Sequence, residues 1–88
     1  MNKYLALVPI TGTVHKGDVV EYNTTAHAYQ TLASGTPAGV VNQVDSATLA
    51  VVQFFGIVYA DEITTPITED LKAKLRQVGL YVETRSNA

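Results

Sequence analysis

The chain has 88 residues, 47% of them apolar and only 16% charged, with a formal net charge of −2. That length makes one small domain, burying about 60–65% of its unfolded surface, and so few charges leave little to keep a fully wetted surface soluble. The absence of cysteine excludes disulfides, zinc fingers and thiol chemistry, and the scattered basic residues lack the stripe that displaces phosphate counterions, so no nucleic-acid partner is expected.

In chain order, residues 2–8 have the make-up of a short strand ended by Pro9. The stretch Met1 to Ile10 resembles a signal peptide only faintly: its apolar part is short, Pro9 breaks it, and no small-residue cleavage site follows. Gly12 and His15-Lys16-Gly17-Asp18 mark turns. Residues 18–22 and 28–32 read as the arms of a hairpin around the polar connection Asn23-Thr24-Thr25-Ala26. After the turn signals Ser34-Gly35-Thr36-Pro37, residues 38–44 form a strand, Asp45-Ser46 a turn, and residues 48–59 a long strand. Gly56 inside that strand marks a bulge or bend, which would divide it into two shorter strands at an angle.

The run from Ala47 to Tyr59 is uncharged, and ten of its thirteen residues are apolar without alternating with polar ones. A strand with one wet face alternates, so both faces of this one must be covered. Burying five additional aliphatic or aromatic side chains is worth roughly 5–10 kcal/mol, comparable with the whole stability of a small domain. The expectation is that other subunits complete the cover, and that the function is assembly rather than chemistry. The run is also shorter than the ~18 residues that span a bilayer, so a soluble, unprocessed chain without a membrane partner is expected.

Beyond Asp61-Glu62 the period changes. Ile67, Leu71, Leu75 and Val78 recur at helical spacing, acidic Glu69 and Asp70 precede basic Lys72, Lys74 and Arg76, and Gly79 follows as a stop. A helix over residues 66–78 is predicted, with Thr65 as cap and Pro66 in its first turn; Thr68 is the competing cap. Leu80-Tyr81-Val82-Glu83 is a last strand, and residues 84–88 are a flexible tail. Several short strands, one helix and one strand make a mainly β or α+β domain, a small β-barrel-like fold with one packed helix.

The polar inventory points away from chemistry. His15 and His27 lie twelve residues apart in turns, with only Asp18 and Glu21 nearby, too few ligands for a metal centre. Asp61 and Glu62 are an adjacent carboxylate pair that a loop between strand and helix leaves solvated rather than tuned for acid–base work. Asn23-Thr24-Thr25 matches a glycosylation acceptor and Lys16-Gly17-Asp18 an integrin-type loop, but both read as turn chemistry. Neither an enzyme nor a cofactor is expected. The five tyrosines fall on predicted strands, where they suit a sheet and an interface equally. The uncharged stretch from Tyr4 to Val14 reads equally as an extended arm that joins a neighbour's sheet or as an edge strand of its own barrel.

From Gly17 to Val82 the succession of signals resembles the head decoration, or capsid cement, proteins of tailed bacteriophages, especially the lambda-type decoration protein. The likeness runs through Ala28-Tyr29-Gln30-Thr31-Leu32, Thr36-Pro37-Ala38-Gly39-Val40-Val41, the turn Asp45-Ser46-Ala47-Thr48, the strand to Phe54, Gly56-Ile57-Val58-Tyr59, Asp61-Glu62-Ile63, the proline-started helix and Gly79-Leu80-Tyr81-Val82. The resemblance implies a homotrimer on the outer surface of an expanded capsid, made in the host cytoplasm and bound to the major capsid protein. It divides the chain into residues 1–14, an arm or edge strand, a decoration domain over 15–83, and the tail. Asn2, Lys3, Tyr4, Leu5, Ala6, Leu7 and Val8 would be the capsid-binding arm. The alternatives are another small β-barrel virion or tail accessory protein, and a stand-alone β-barrel module for a peptide or small ligand.

Overall fold

The hairpin around residues 23–27 is closed by one side chain. Asn23 closes it by accepting the N–H groups of Thr25 (2.9 Å) and Ala26 (3.0 Å), an Asx turn, and His27 takes a left-handed φ of 53° to bring the chain back. In the computed structural model, which describes residues 3–84, the strands are β1 (Tyr4–Pro9), β2 (Val19–Asn23), β3 (Ala28–Thr31), β4 (Gly39–Val44), β5 (Leu49–Tyr59) and β6 (Leu80–Glu83), with a 3-10 turn at Ala60–Glu62 and one helix, α1 (Glu69–Gln77). The domain is mainly β with one packed helix, as its sequence order predicts.

Neighbouring strands run β1-β5-β4-β2-β3, all antiparallel, and β6 pairs with β5 in parallel. The two ends of this path meet: Ile10, just past β1, bridges Tyr29 of β3, and the Thr11 N–H donates to the Tyr29 carbonyl at 2.8 Å. The sheet thereby curls into a small barrel-like form that is joined at Ile10 and Tyr29 and left open along residues 4–8 of β1. Register shifts at Tyr4/Leu5 opposite β5 and at Val41/Gln43 opposite β5 supply the bends that such closure needs.

Adjacent valines divide the two cores. Val20 and Val41 point inward with Ile10, Val14, Ala50 and Val52, against which Val8, Tyr29 and Phe54 pack. Val19 and Val40 point outward to a second cluster of Val58, Ile63, Leu71, Leu75 and Leu80 beneath the helix. Alternation along the strand turns consecutive residues to opposite faces, so the valine pairs Val19-Val20 and Val40-Val41 serve one core each. Helix α1 is short and contributes Leu71 and Leu75, one stripe, to the outer core.

The helix starts later than its apolar spacing predicts. Thr68 is the cap, its hydroxyl accepting the Leu71 N–H at 3.1 Å. Thr65 instead accepts the Val19 N–H at 2.9 Å, fastening the chain to β2, and Pro66 and Ile67 precede the helix. The reason is packing: Val19 belongs to a strand whose outward amide needs a partner, and Thr65 is placed to supply it. Val78 caps the helix rather than entering the core and is exposed. Gly79, at φ 95°, ends it.

β5 carries the uncharged run as one continuous strand rather than the two expected from Gly56, because Gly56 (φ 102°) is where the strand changes partner without ending. Residues before it pair with β1 and β4, while Gly56 to Tyr59 pair with β6. The buried Gln53 braces the change by donating its amide to the carbonyls of Phe55 (3.1 Å) and Ile57 (3.0 Å). The inner core takes Ala50, Val52 and Phe54 and the outer core takes Val58, so the chain itself covers part of both faces, while Leu49, Val51, Ile57 and Tyr59 stay half-buried. Within β5 only Phe55 is exposed.

Candidate interaction surface

The N-terminal residues resolve one of the two alternatives. Tyr4, Leu5, Ala6, Leu7 and Val8 belong to β1, a strand of the chain's own barrel, paired with β5 through Leu5↔Gln53, Ala6↔Val52, Leu7↔Val51 and Val8↔Ala50. A free extended arm over these residues is therefore corrected to an edge strand. The physical reason is that Ala6 and Val8 find partners on the inward face of β5, and Ile10 completes the inner core. Lys3 is exposed at the head of the strand, and Asn2 lies outside the described residues, as do residues 85–88 of the expected tail.

What β1 presents outward is apolar. Leu5 and Leu7 are exposed while Ala6 and Val8, alternating with them, are half-buried, the period-two pattern of a strand with one face on a core. Phe55 (44% exposed) lies over Gly79, so close that a Cβ there would sit 2.6 Å from the phenylalanine Cδ1. Val78 is exposed next to that glycine. Leu5 and Leu7 of β1, Phe55 of β5 and Val78 at the end of the helix are thus exposed apolar side chains.

A second set of apolar groups meets the same edge from the other face. The rings of Tyr4 and Phe54 are 6.4 Å apart, those of Phe54 and Tyr29 5.3 Å, and those of Tyr29 and Tyr22 5.0 Å. Tilted and edge-to-face pairs at such separations are favourable. Both ends of this row, Tyr4 and Tyr22, are exposed. Along residues 4–8, β1 has β5 on one side, and among the described residues no strand pairs on the other. An uncharged strand edge of this kind offers backbone donors and acceptors to another chain.

The residues weighed for chemistry are not brought together. His15 is exposed, its N–H donating to the Asp18 carboxylate (2.9 Å) and its ring lying 3.7 Å from it. Asp18 also accepts the Thr64 hydroxyl at 2.6 Å, so its task is to tie a turn to the segment before the helix. Gly17 packs there too: a Cβ would fall 2.7 Å from the Glu62 carbonyl. His27 stands apart in the β2–β3 turn. Asp61 and Glu62 occupy the exposed 3-10 turn, where the Glu62 carboxylate accepts the Tyr59 N–H at 3.2 Å. Among the described residues no three His, Cys, Asp or Glu side chains gather as a metal site would need, and no helix is long and apolar enough to cross a membrane.

Glu21, weighed in the sequence only as a carboxylate near the histidines, has a different role. Glu21 is buried, and its carboxylate accepts the Gln30 amide (2.6 Å) and the N–H groups of Ala33 (3.1 Å) and Gly35 (2.8 Å). Those bonds hold its pKa below the usual carboxylate value, the Gln30 bond foremost. A signal was available: once Tyr22 pairs with Tyr29, Glu21 must face Gln30.

Comparison with known protein families, with curated proteins and with solved structures gives no match to this chain.

Proposed function

We propose that the chain is a non-enzymatic structural protein that binds the outside of an expanded phage capsid and stabilises it, acting as a homotrimer with the major capsid protein as its partner. The observation that carries this reading is the uncharged open edge of β1, flanked by exposed Leu5, Leu7 and Phe55. A surface of that kind is suited to another protein rather than to a small polar substrate. The order of sequence signals that resembles the decoration proteins supplies the identity of the partner.

The physical logic of such a role is simple. Three modest contacts on one rigid trimer act together through effective concentration, giving a durable clamp without a single strong patch. Attachment only to the expanded shell stabilises that state by mass action.

The test is co-sedimentation of the purified chain with expanded and unexpanded shells built from the capsid protein of the same virus, alongside its mass in solution at low micromolar concentration. A trimer that pellets with expanded shells alone is the expected result. A monomer that pellets with neither overturns the reading, and a monomer that instead binds a peptide or small ligand favours the binding-module alternative.

A further inference from the structure

The segment 32–37 between β3 and β4 is fastened at its ends by the backbone, Leu32 N–H to the Val19 carbonyl (2.9 Å) and Ala38 N–H to the Val20 carbonyl (2.8 Å). Its middle is held differently. The amides of Ala33 and Gly35 both donate to one oxygen, Oε1 of Glu21. The other oxygen, Oε2, takes the Gln30 amide, whose own Oε1 is held by the Asn23 amide at 2.9 Å. The backbone approaches so closely that a Cβ on Gly35 would lie 2.8 Å from Glu21 Oε1. On its far side, this segment forms one wall of a groove of about 280 Å³, with Thr65, Pro66 and Leu71 opposite.

We propose that Glu21 is a latch: its ionised carboxylate pins residues 33–36 to the barrel, and protonation frees those residues, and with them part of one wall of the groove, while Leu32, Pro37 and the barrel stay in place. The chemistry follows from the donor count. All three neighbours of the carboxylate donate, so the ionised form is matched at both oxygens by charge-assisted bonds about twice as strong as neutral ones. A proton added to either oxygen weakens the acceptors and introduces a fourth donor facing three others. Because the folded carboxyl binds its proton less readily than the unfolded one, the stabilisation is fully present above the usual value of 4.5 and is lost as pH falls through the lower folded value. The other titratable groups on the surrounding elements are Asp18, Tyr22, Tyr29, and, across the groove, Asp70 and Lys74; none of them bonds to Glu21.

The experiment is amide exchange by NMR on the full chain, read as protection relative to an unstructured peptide at the same pH. As pH falls from 7 to about 3, protection of the Ala33 and Gly35 amides drops at least about tenfold, while Val41 and Val52 in the inner core keep theirs. In Glu21→Gln the two loop amides are weakly protected throughout and lose the pH dependence. Loop amides that lose protection only together with Val41 and Val52 overturn the proposal, as does a Glu21→Gln variant that retains the wild-type drop. Should that variant fail to fold, the wild-type profile decides alone, since a latch releases the loop before the core.

Discussion

The two adjacent phenylalanines of β5 are the sharpest place to test the fold, because they are chemically identical and differently housed. Phe54 packs on the inner core, with ring neighbours Tyr29 at 5.3 Å and Tyr4 at 6.4 Å. Burying a phenylalanine side chain is worth roughly 1.5–3 kcal/mol, and a good aromatic pair adds ~0.5–1.5 kcal/mol. Phe54→Ala is therefore expected to cost ~3 kcal/mol, which at ~4–8 °C per kcal/mol lowers Tm by ~12–24 °C in a domain of this size. Phe55 is 44% exposed, so it retains about half of the burial term, and Phe55→Ala is expected to cost ~1 kcal/mol, or ~4–8 °C. The same contrast predicts that Phe55→Asp folds, since its carboxylate reaches water, whereas Phe54→Asp puts a charge against the inner core and unfolds the chain. Thermal circular dichroism below the concentration of self-association measures all four variants. A Phe55→Ala penalty equal to that of Phe54→Ala would refute the reasoning, because it would mean that both faces of β5 are closed at this point.

Two further outcomes follow from the same packing. Deleting residues 1–10 removes β1, leaves the β5 edge unpaired and takes Ile10 out of the inner core, so the truncated chain is expected to lose its cooperative melting transition; a melt like that of the full chain would mean that the barrel does not need this strand. Gly79→Ala is expected to cost at least ~1–2 kcal/mol from the left-handed backbone alone, plus a collision with Phe55, 2.6 Å from the new Cβ. Combined with Phe55→Ala, the collision disappears, so the double variant should be less destabilised than the two single losses summed; strict additivity would show that the ring does not lie where the packing puts it.

What could be read from the residues alone was local. The polar turn at Asn23, the glycine stop at Gly79 and the leucines of α1 all depend on backbone preferences and short-range periodicity, which a linear chain already carries, whereas the change of partner at Gly56 depends on β6, far off in sequence. Even the choice between cap residues was open only because Thr65 and Thr68 are equally good local candidates; Val19, far off in sequence, took one of them. The role of residues 4–8 could not be decided that way, since an arm and an edge strand have the same composition. Closure through Ile10 and Tyr29 made the segment a barrel strand, and the same closure turned one side of β5 into an interior. The apolar run dictated that both sides be covered, but which atoms do the covering is a question of long-range pairing. Only the assembled barrel and helix could show which residues of the run the chain buries itself, Ala50, Val52 and Val58 among them, and that Phe55 and the outward leucines of β1 are left exposed.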